Sequence, residues 1–445
     1  MSFLQDLLSS VFNREGQDDA NLDGRSIAEL CDALMSERGE MSGNRLAHSL
    51  LTRFESSDES AQLEFFHLLL DRYDINANHV LRAAQRYADE TSADHLAILT
   101  DSVEPRRKEL LRRLNRIPGA TGQLVRMREV LLSLMKEHPD LARIDLDFSR
   151  LFGAWFNRGF LVLREIDWHT PANILEKIIE YEAVHAITDW PSLRSRLQPT
   201  DRKCFAFFHP AMLDEPLIFV EVALTKTTPD SIQGVLAEER DVLEANQTST
   251  AVFYSISNCQ AGLKGVSFGN FLIKQVAAEL SAQLPNLTEF RTLSPIPSLM
   301  RWIHSLDADV GEGTELYEHG EAVLAATVIA AGDDAMELSD DIDDKLKAMT
   351  AHYLTAETRS DNQPLDPVAR FHLGNGASLD QILAFGDTSE KGATQSASLM
   401  VSYLYDLDRV IANHEAYARQ RTVVTSSTVN AYLTQAKKAR KRMAS

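Results

Sequence analysis

The chain has 445 residues, 44% of them apolar, enough for two or three domains with a sizeable core. Its 45 basic and 65 acidic residues leave a formal charge of -20, which argues against nucleic acid or an anionic membrane as the main partner and confines any anion binding to a local site. Cys31, Cys204 and Cys259 form an odd, scattered set without a C-x-x-C pair, so neither a disulfide framework nor a thiolate zinc site is expected and a reducing cytosol fits.

The first residues, MSFLQDLLSSVFNREG, read as a short amphipathic helix, since Asp6 interrupts the apolar run and no basic segment precedes it. From Gly24 to about Asp147 the pattern is helical throughout. SIAELCDALMSERGE, NRLAHSLLTRFESSD, SAQLEFFHLLLDRYD and NANHVLRAAQRYADE each space apolar residues three and four apart behind Ser, Asn or Asp caps, which predicts an antiparallel helical bundle. The basic run RRKELLRRLNR from Arg106 reads as a solvated helix face. IPGATGQLVRMREVLLSLMKEHP then predicts a Pro-Gly turn, a cap at Thr121 and another helix.

After Trp155 the texture changes to strands: KCFAFFHP, EPLIFVEVAL, AVFYSIS and EFRTLS are short, apolar and rich in Phe, Val and Ile, with MLDE as a hairpin connection between the first two. Helices return at Asn270 to Leu284 and from about Glu318 onward, making the second region a mixed α/β unit. Its longest near-continuous apolar run, AVLAATVIAA from Ala322, is about half a bilayer span. DDAMELSDDIDDK lacks the alternation of a calcium loop and reads as a solvated loop with an acidic first helical turn.

Between AVFYSIS and the next helix lies a loop with Gly262, Gly265 and Gly269. Glycines there let the backbone approach a ligand, and a first helical turn presents unpaired N–H groups to an anion. Lys264 is followed by Gly265 rather than by Ser or Thr, which disfavours a nucleotide hydrolase, and the glycine spacing disfavours a dinucleotide fingerprint. The loop loosely resembles that of the GNAT acyltransferase fold, which holds the pyrophosphate of coenzyme A; a tight turn without ligand is the other reading. Ser294, before Pro295, suits a helix N-cap, or its hydroxyl faces the same cleft as the loop. His372 is read either as a packed residue beside Phe371 or as a catalyst, and no histidine spacing demands a metal. Cys259 is more readily a buried strand-end thiol than a nucleophile.

Taken together, EPLIFVEVALTK, FYSIS, QAGLKGVSFGNFLIK, LSPIP, PVARFHLGNGA and LMVSYLY, in this order, resemble the malonyl-CoA decarboxylase family from about Trp155 to Asp408. PGAT and LVRMRE resemble its helical domain more loosely. The resemblance implies an α+β multidomain chain: an all-α oligomerisation bundle over 1–153, then a GNAT-like α/β acyl-CoA domain over 154–445, in a homotetramer. It implies conversion of malonyl-CoA to acetyl-CoA and carbon dioxide, with Ser294 and His372 catalytic and Ser255 and Tyr405 at further active-site positions. Gln260, Gly262, Lys264, Gly265, Val266, Ser267, Phe268, Gly269 and Asn270 form the implied pyrophosphate loop. Ser267 departs from eukaryotic relatives, which carry a Glu there, and the ending RMAS is not their Ser-Lys-Leu signal, favouring a cytoplasmic, bacterial protein.

Such chemistry needs no metal, biotin or pyridoxal, because the thioester itself takes the charge as an enolate. The protein has to bind the coenzyme, stabilise the enolate oxygen and return a proton to carbon. An imidazole titrating near neutral pH suits the last task, while Ser294 hydrogen-bonds either the departing carboxylate or the imidazole. An acyl-CoA-dependent N-acetyltransferase and a non-catalytic coenzyme A sensor are the rival readings.

Overall fold

The computed structural model describes residues 24–36, 40–266, 272–309, 320–330 and 340–434. The amphipathic segment expected at the N-terminus, loop residues Ser267, Phe268, Gly269 and Asn270, and the first part of the acidic stretch lie outside them. Two compact units are present. One comprises Met1–Val162, Phe207–Ile218 and Asn258–Phe268; the other comprises Leu163–Ala206, Phe219–Ser257 and Gly269–Ser445.

In the first unit the expected helices form where their caps and apolar spacing place them. Ser26 closes a capping box with Glu29 on the helix Ile27–Met35, Asp58 caps Glu59–Arg72, and Asn76 caps Ala77–Asp89. Their apolar faces meet in one core that includes Leu50, Phe54, Phe66, Leu69, Leu124, Leu131 and Phe152. Two expectations change. The cap of the helix Ala120–Leu134 is Gly119, in a left-handed conformation with φ 81°, while Thr121 lies inside the helix and donates its hydroxyl to Asn115 Oδ1. The basic run from Arg106 is not simply a solvated face: Arg107 is buried and pairs with Asp74 at 2.8 Å and with Asp147 at 2.7 Å. A buried guanidinium is tolerable there because two carboxylates surround it.

The sheet has eight strands: β1 Val162–Ile166, β2 Arg202–His209, β3 Met212–Thr225, β4 Thr250–Asn258, β5 Glu289–Thr292, β6 Ser294–Pro295, β7 Ser378–Leu383 and β8 Met400–Leu404. Their order is β1-β2-β3-β4-β5-β8-β6, with β7 on β8. The expected succession of helices and then a mixed α/β region is what the chain adopts. MLDE, however, belongs to β3, and the connection is the two-residue turn Pro210–Ala211. The region after Glu318, read as helical, also contributes β7 and β8.

β4 and β5 run parallel, with Phe253 opposite Thr292, whereas β8 runs antiparallel to both β5 and β6. At Leu293 the chain breaks between β5 and β6, and the Leu293 N–H turns to the Phe253 carbonyl at 3.0 Å. Ser294 is consequently not a helix cap: it pairs with Val401 of β8, and the next helix begins only at Leu299.

Candidate active site

Three elements of the second unit bring Ser294, His372 and Tyr405 together. Ser294 enters on β6, Tyr405 follows β8 with its N–H on the Phe290 carbonyl at 2.8 Å, and His372 rides on the helix Pro367–Gly374. That helix starts where Pro367 presets the first turn and Asp366 accepts the N–H groups of Val368 and Ala369, both at 2.9 Å. His372 Nε2 lies 3.1 Å from Ser294 Oγ, and Nδ1 lies 2.9 Å from the Tyr405 hydroxyl. The ring stacks on Tyr403 at 4.6 Å between centroids, which fixes its plane.

A residue that sequence reasoning passed over orders this chain of hydroxyls. Thr292, at the end of β5, accepts the Tyr403 N–H at 3.0 Å and the Ser294 hydroxyl at 2.9 Å. With its proton given to Thr292, Ser294 accepts from His372 Nε2–H, and Nδ1 is left to accept from Tyr405. The sequence carried no signal for Thr292 beyond its place two residues before Ser294.

All four side chains are buried, and burial governs their charge. It drives the His372 imidazole from 6.5 down to about 3 and pushes the Tyr405 phenol up, so the cluster is uncharged at neutral pH. The expectation that His372 titrates near neutrality is thereby corrected. A histidine without an anionic partner, taken out of water, stays neutral.

Ser255 lies in the same unit, on the face of β4 that also carries Phe253, whose ring is 6.5 Å from that of Tyr405. Its hydrogen bonds, however, go to Glu182, at 2.9 Å and 2.7 Å to the two carboxylate oxygens. Ser257 reaches the same carboxylate at 3.2 Å, and the N–H groups of Val184 and His185 complete its shell. Glu182 also escaped sequence reasoning, because an acid just past a helix end looks like any solvated one.

The glycine loop belongs to the first unit, and its described half does structural work. A Cβ on Gly262 would lie 1.9 Å from the Val125 carbonyl oxygen, so the missing side chain serves contact with the helix Ala120–Leu134 rather than with a ligand. The buried Arg128 donates to the carbonyls of Gly262 and Lys264 at 2.7 Å and 2.9 Å and pairs with Asp145 at 2.7 Å. Gln260 donates its side-chain amide to the Pro216 carbonyl at 3.0 Å, and Val266 packs on the helical core. Gly265 differs: it has φ 79°, its surroundings are open, and it is exposed beside the exposed Lys264. Cys259 is buried, as expected of a strand-end thiol, with its N–H on the Leu217 carbonyl at 2.9 Å.

The fold is α+β, a helical unit followed by a mixed sheet, and the uncharged serine, imidazole and phenol on that sheet form one hydrogen-bonded line of a kind that can pass a proton. Known proteins narrow that class. A family model described as the malonyl-CoA decarboxylase C-terminal domain matches residues 159–443, and one for the N-terminal domain of the same family matches residues 73–156. A solved malonyl-CoA decarboxylase from Rhodopseudomonas palustris is 47% identical, covers 91% of this chain and 98% of its own, and superposes with a TM-score of 0.86. One from Agrobacterium vitis is 46% identical over 91% of this chain and 99% of its own, with a TM-score of 0.82. The mitochondrial malonyl-CoA decarboxylase of Mus musculus is 33% identical over 348 residues, 73% of this chain and 70% of the relative. The chain belongs to the malonyl-CoA decarboxylase family.

Proposed function

We propose that this chain decarboxylates malonyl-CoA to acetyl-CoA and carbon dioxide, with Ser294, His372 and Tyr405 handling the proton. The observation that carries this reading is the uncharged hydroxyl, imidazole and phenol line, found in a member of this family. As the bond to the carboxylate breaks, its electron pair enters the thioester as an enolate. The alpha carbon then takes a proton from Ser294, which turns from Thr292 toward substrate; His372 Nε2–H restores the serine, and Tyr405 passes its proton to Nδ1. Once product has left, one solvent proton enters at Ser294, which returns a proton to Nε2 while Nδ1 returns one to Tyr405, so the starting tautomer is restored and one proton is consumed per carbon dioxide released. A neutral imidazole suits a relay of this kind, because it gains on one nitrogen as it gives from the other. Ser255 and Ser257, both held by Glu182, are further polar groups on this face of the sheet.

Coenzyme A's pyrophosphate is assigned to the glycine loop at Lys264 and Gly265, where Gly265 is open and left-handed and a backbone can approach a ligand closely. The reaction is assigned no metal or organic cofactor, since the thioester is the electron sink. Assembly as a homotetramer is supported by apolar side chains left exposed on the helices Ala77–Asp89 and Ala93–Ser102 and just beyond them: Leu81, Leu96, Ile98 and Val103. No described helix is long and apolar enough to cross a membrane.

The test is incubation of the pure protein with malonyl-CoA in EDTA while following acetyl-CoA and carbon dioxide. Stoichiometric formation of both is expected. Binding without turnover, or acetylation of an added amine from acetyl-CoA with malonyl-CoA untouched, would overturn the reading.

A further inference from the structure

His67, His138 and Asp140 meet in the helical unit, where the proposed chemistry uses none of them. His67 lies on the helix Glu59–Arg72, and His138 and Asp140 flank Pro139 at the short turn Pro139–Leu141 after the helix Ala120–Leu134. One ligand atom of each lies within 4.8 Å of those of the other two, with His67 Nε2 3.7 Å from Asp140 Oδ2. The two imidazoles stand edge to face, 5.8 Å between centroids at 79°. The His67–Asp140 approach and the edge-to-face ring contact each account for one pair of these side chains. A single ion accounts for all three.

The frame behind these side chains is rigid. Phe66 and Leu69 on one side and Leu141 on the other are buried in the same core, and the His138 N–H is bonded to the Leu134 carbonyl at 2.9 Å. Ligands about 2.0–2.1 Å from a zinc ion stand roughly 3.4 Å from one another. The three donors therefore have to close by about an ångström, which rotation of half-exposed side chains supplies. Side-chain exposures of 43% for His67 and 57% for Asp140 leave the outer positions of an ion open to water. Two imidazole nitrogens and one carboxylate are a borderline donor set, suited to zinc, nickel or copper; calcium and magnesium require oxygen shells that this group does not provide.

We propose that His67, His138 and Asp140 form a binding site for one divalent transition-metal ion of the zinc class, with water completing its coordination. The ion ties the helix Glu59–Arg72 to the turn after Leu134, so its effect is on the stability of the helical unit.

Calorimetry of the untagged full chain, stripped with chelator and titrated with Zn2+, tests it. Saturation at one ion per chain is expected, with Mg2+ giving no saturable heat. His67→Ala, His138→Ala and Asp140→Asn should each weaken the event at least tenfold, and Zn2+ should raise the melting temperature of the wild type but not of the first two variants. Co2+ bound to the unmodified chain should show the intense visible bands of a low-coordinate nitrogen and oxygen site, a readout that does not depend on any variant folding. No saturable binding to the wild type, or binding of full strength in folded His67→Ala and His138→Ala, would overturn the proposal.

Discussion

Gly262 sits where one added carbon would strike the Val125 carbonyl at 1.9 Å, whereas His372 sits where burial has removed the water from an imidazole and neighbouring hydroxyls have replaced it. Glycines draw the eye in the sequence, yet the described half of their loop is mostly anchored backbone: its carbonyls are held by Arg128, and Gln260 is turned onto Pro216. The imidazole cluster draws on residues scattered from Thr292 to Tyr405, and only its assembly makes it distinctive. A motif close in sequence can thus be chiefly a packing device, while a site is made by polar groups that packing has desolvated together.

The contrast breaks if the cluster proves dispensable. His372→Gln and Ser294→Ala are each expected to cut kcat by about 10²-fold or more at nearly unchanged thioester affinity, with the double variant little worse than either single one. Single-turnover rates measured beside melting temperatures check this; near-wild-type rates in the folded single variants would remove both residues from the mechanism.

The loop is sharpened by two substitutions with opposite expectations. Gly262→Ala overpacks a backbone contact and should cost about 1–3 kcal/mol of stability, while coenzyme A affinity per folded molecule is kept. Gly265→Val meets no atom within 4 Å and has to bear a left-handed backbone, so it should cost about 1–2 kcal/mol. Only this second variant should weaken coenzyme A binding, because it places a branched side chain at the assigned pyrophosphate position. Denaturant unfolding and calorimetry on both variants decide whether the loop divides in this way.

Thr292 tests how far the cluster depends on a residue with no part in bond breaking. Thr292→Val keeps the shape and removes the acceptor, leaving the Ser294 hydroxyl free to turn; a loss of about tenfold in kcat is expected, the worth of one hydrogen bond, with KM little changed. Thr292→Ser should restore the rate. A purely structural Thr292 would instead lower the melting temperature in both variants and leave kcat alone.

The remaining effect is on pH dependence, and near neutral pH it vanishes. Because the folded chain holds His372 near 3 against an ordinary 6.5, kcat/KM should show no histidine limb attributable to it between about pH 5 and 8. As pH falls from 6.5 toward 3, the unfolded chain binds a proton that the folded chain refuses, so stability is lost on acidification across that window. His372→Gln lacks this contribution. Its stability gap to the wild type should therefore narrow by about 1.4 kcal/mol per pH unit below 6.5, read by denaturant unfolding at several pH values.

Much of this was legible. Ser26, Asp58 and Asn76 announced helices that form, and FAFF, LIFVEVAL and VFYSIS announced strands, because caps and local apolar patterning are written in neighbouring residues. Ser294 and His372 were named from strings resembling a family, and their meeting at 3.1 Å was not readable from either string alone. β7 and β8 were missed because five or six residues between helices are too few for a period to emerge, and the position of β8 between β5 and β6 is a long-range fact. Thr292, Glu182 and the neutral state of His372 were hidden for one reason: each depends on which groups are excluded from water together, and that is settled only by the fold.

The insertion of β8 between β5 and β6 also sets a timetable. Thr292 and the Tyr403 N–H that it accepts are 111 residues apart, and His372 is 78 residues from Ser294. At about 5–20 residues per second, a ribosome that has just delivered Ser294 needs on the order of ten seconds to deliver Tyr405. The serine hydroxyl lacks its imidazole until residue 372 is made and the strand that pairs with its own until β8 is made, although much of the helical core is already available to fold. Contacts of such long range form slowly, so during refolding the recovery of decarboxylation should trail the recovery of helix signal, and a chain that stops short of Tyr405 should leave malonyl-CoA unchanged.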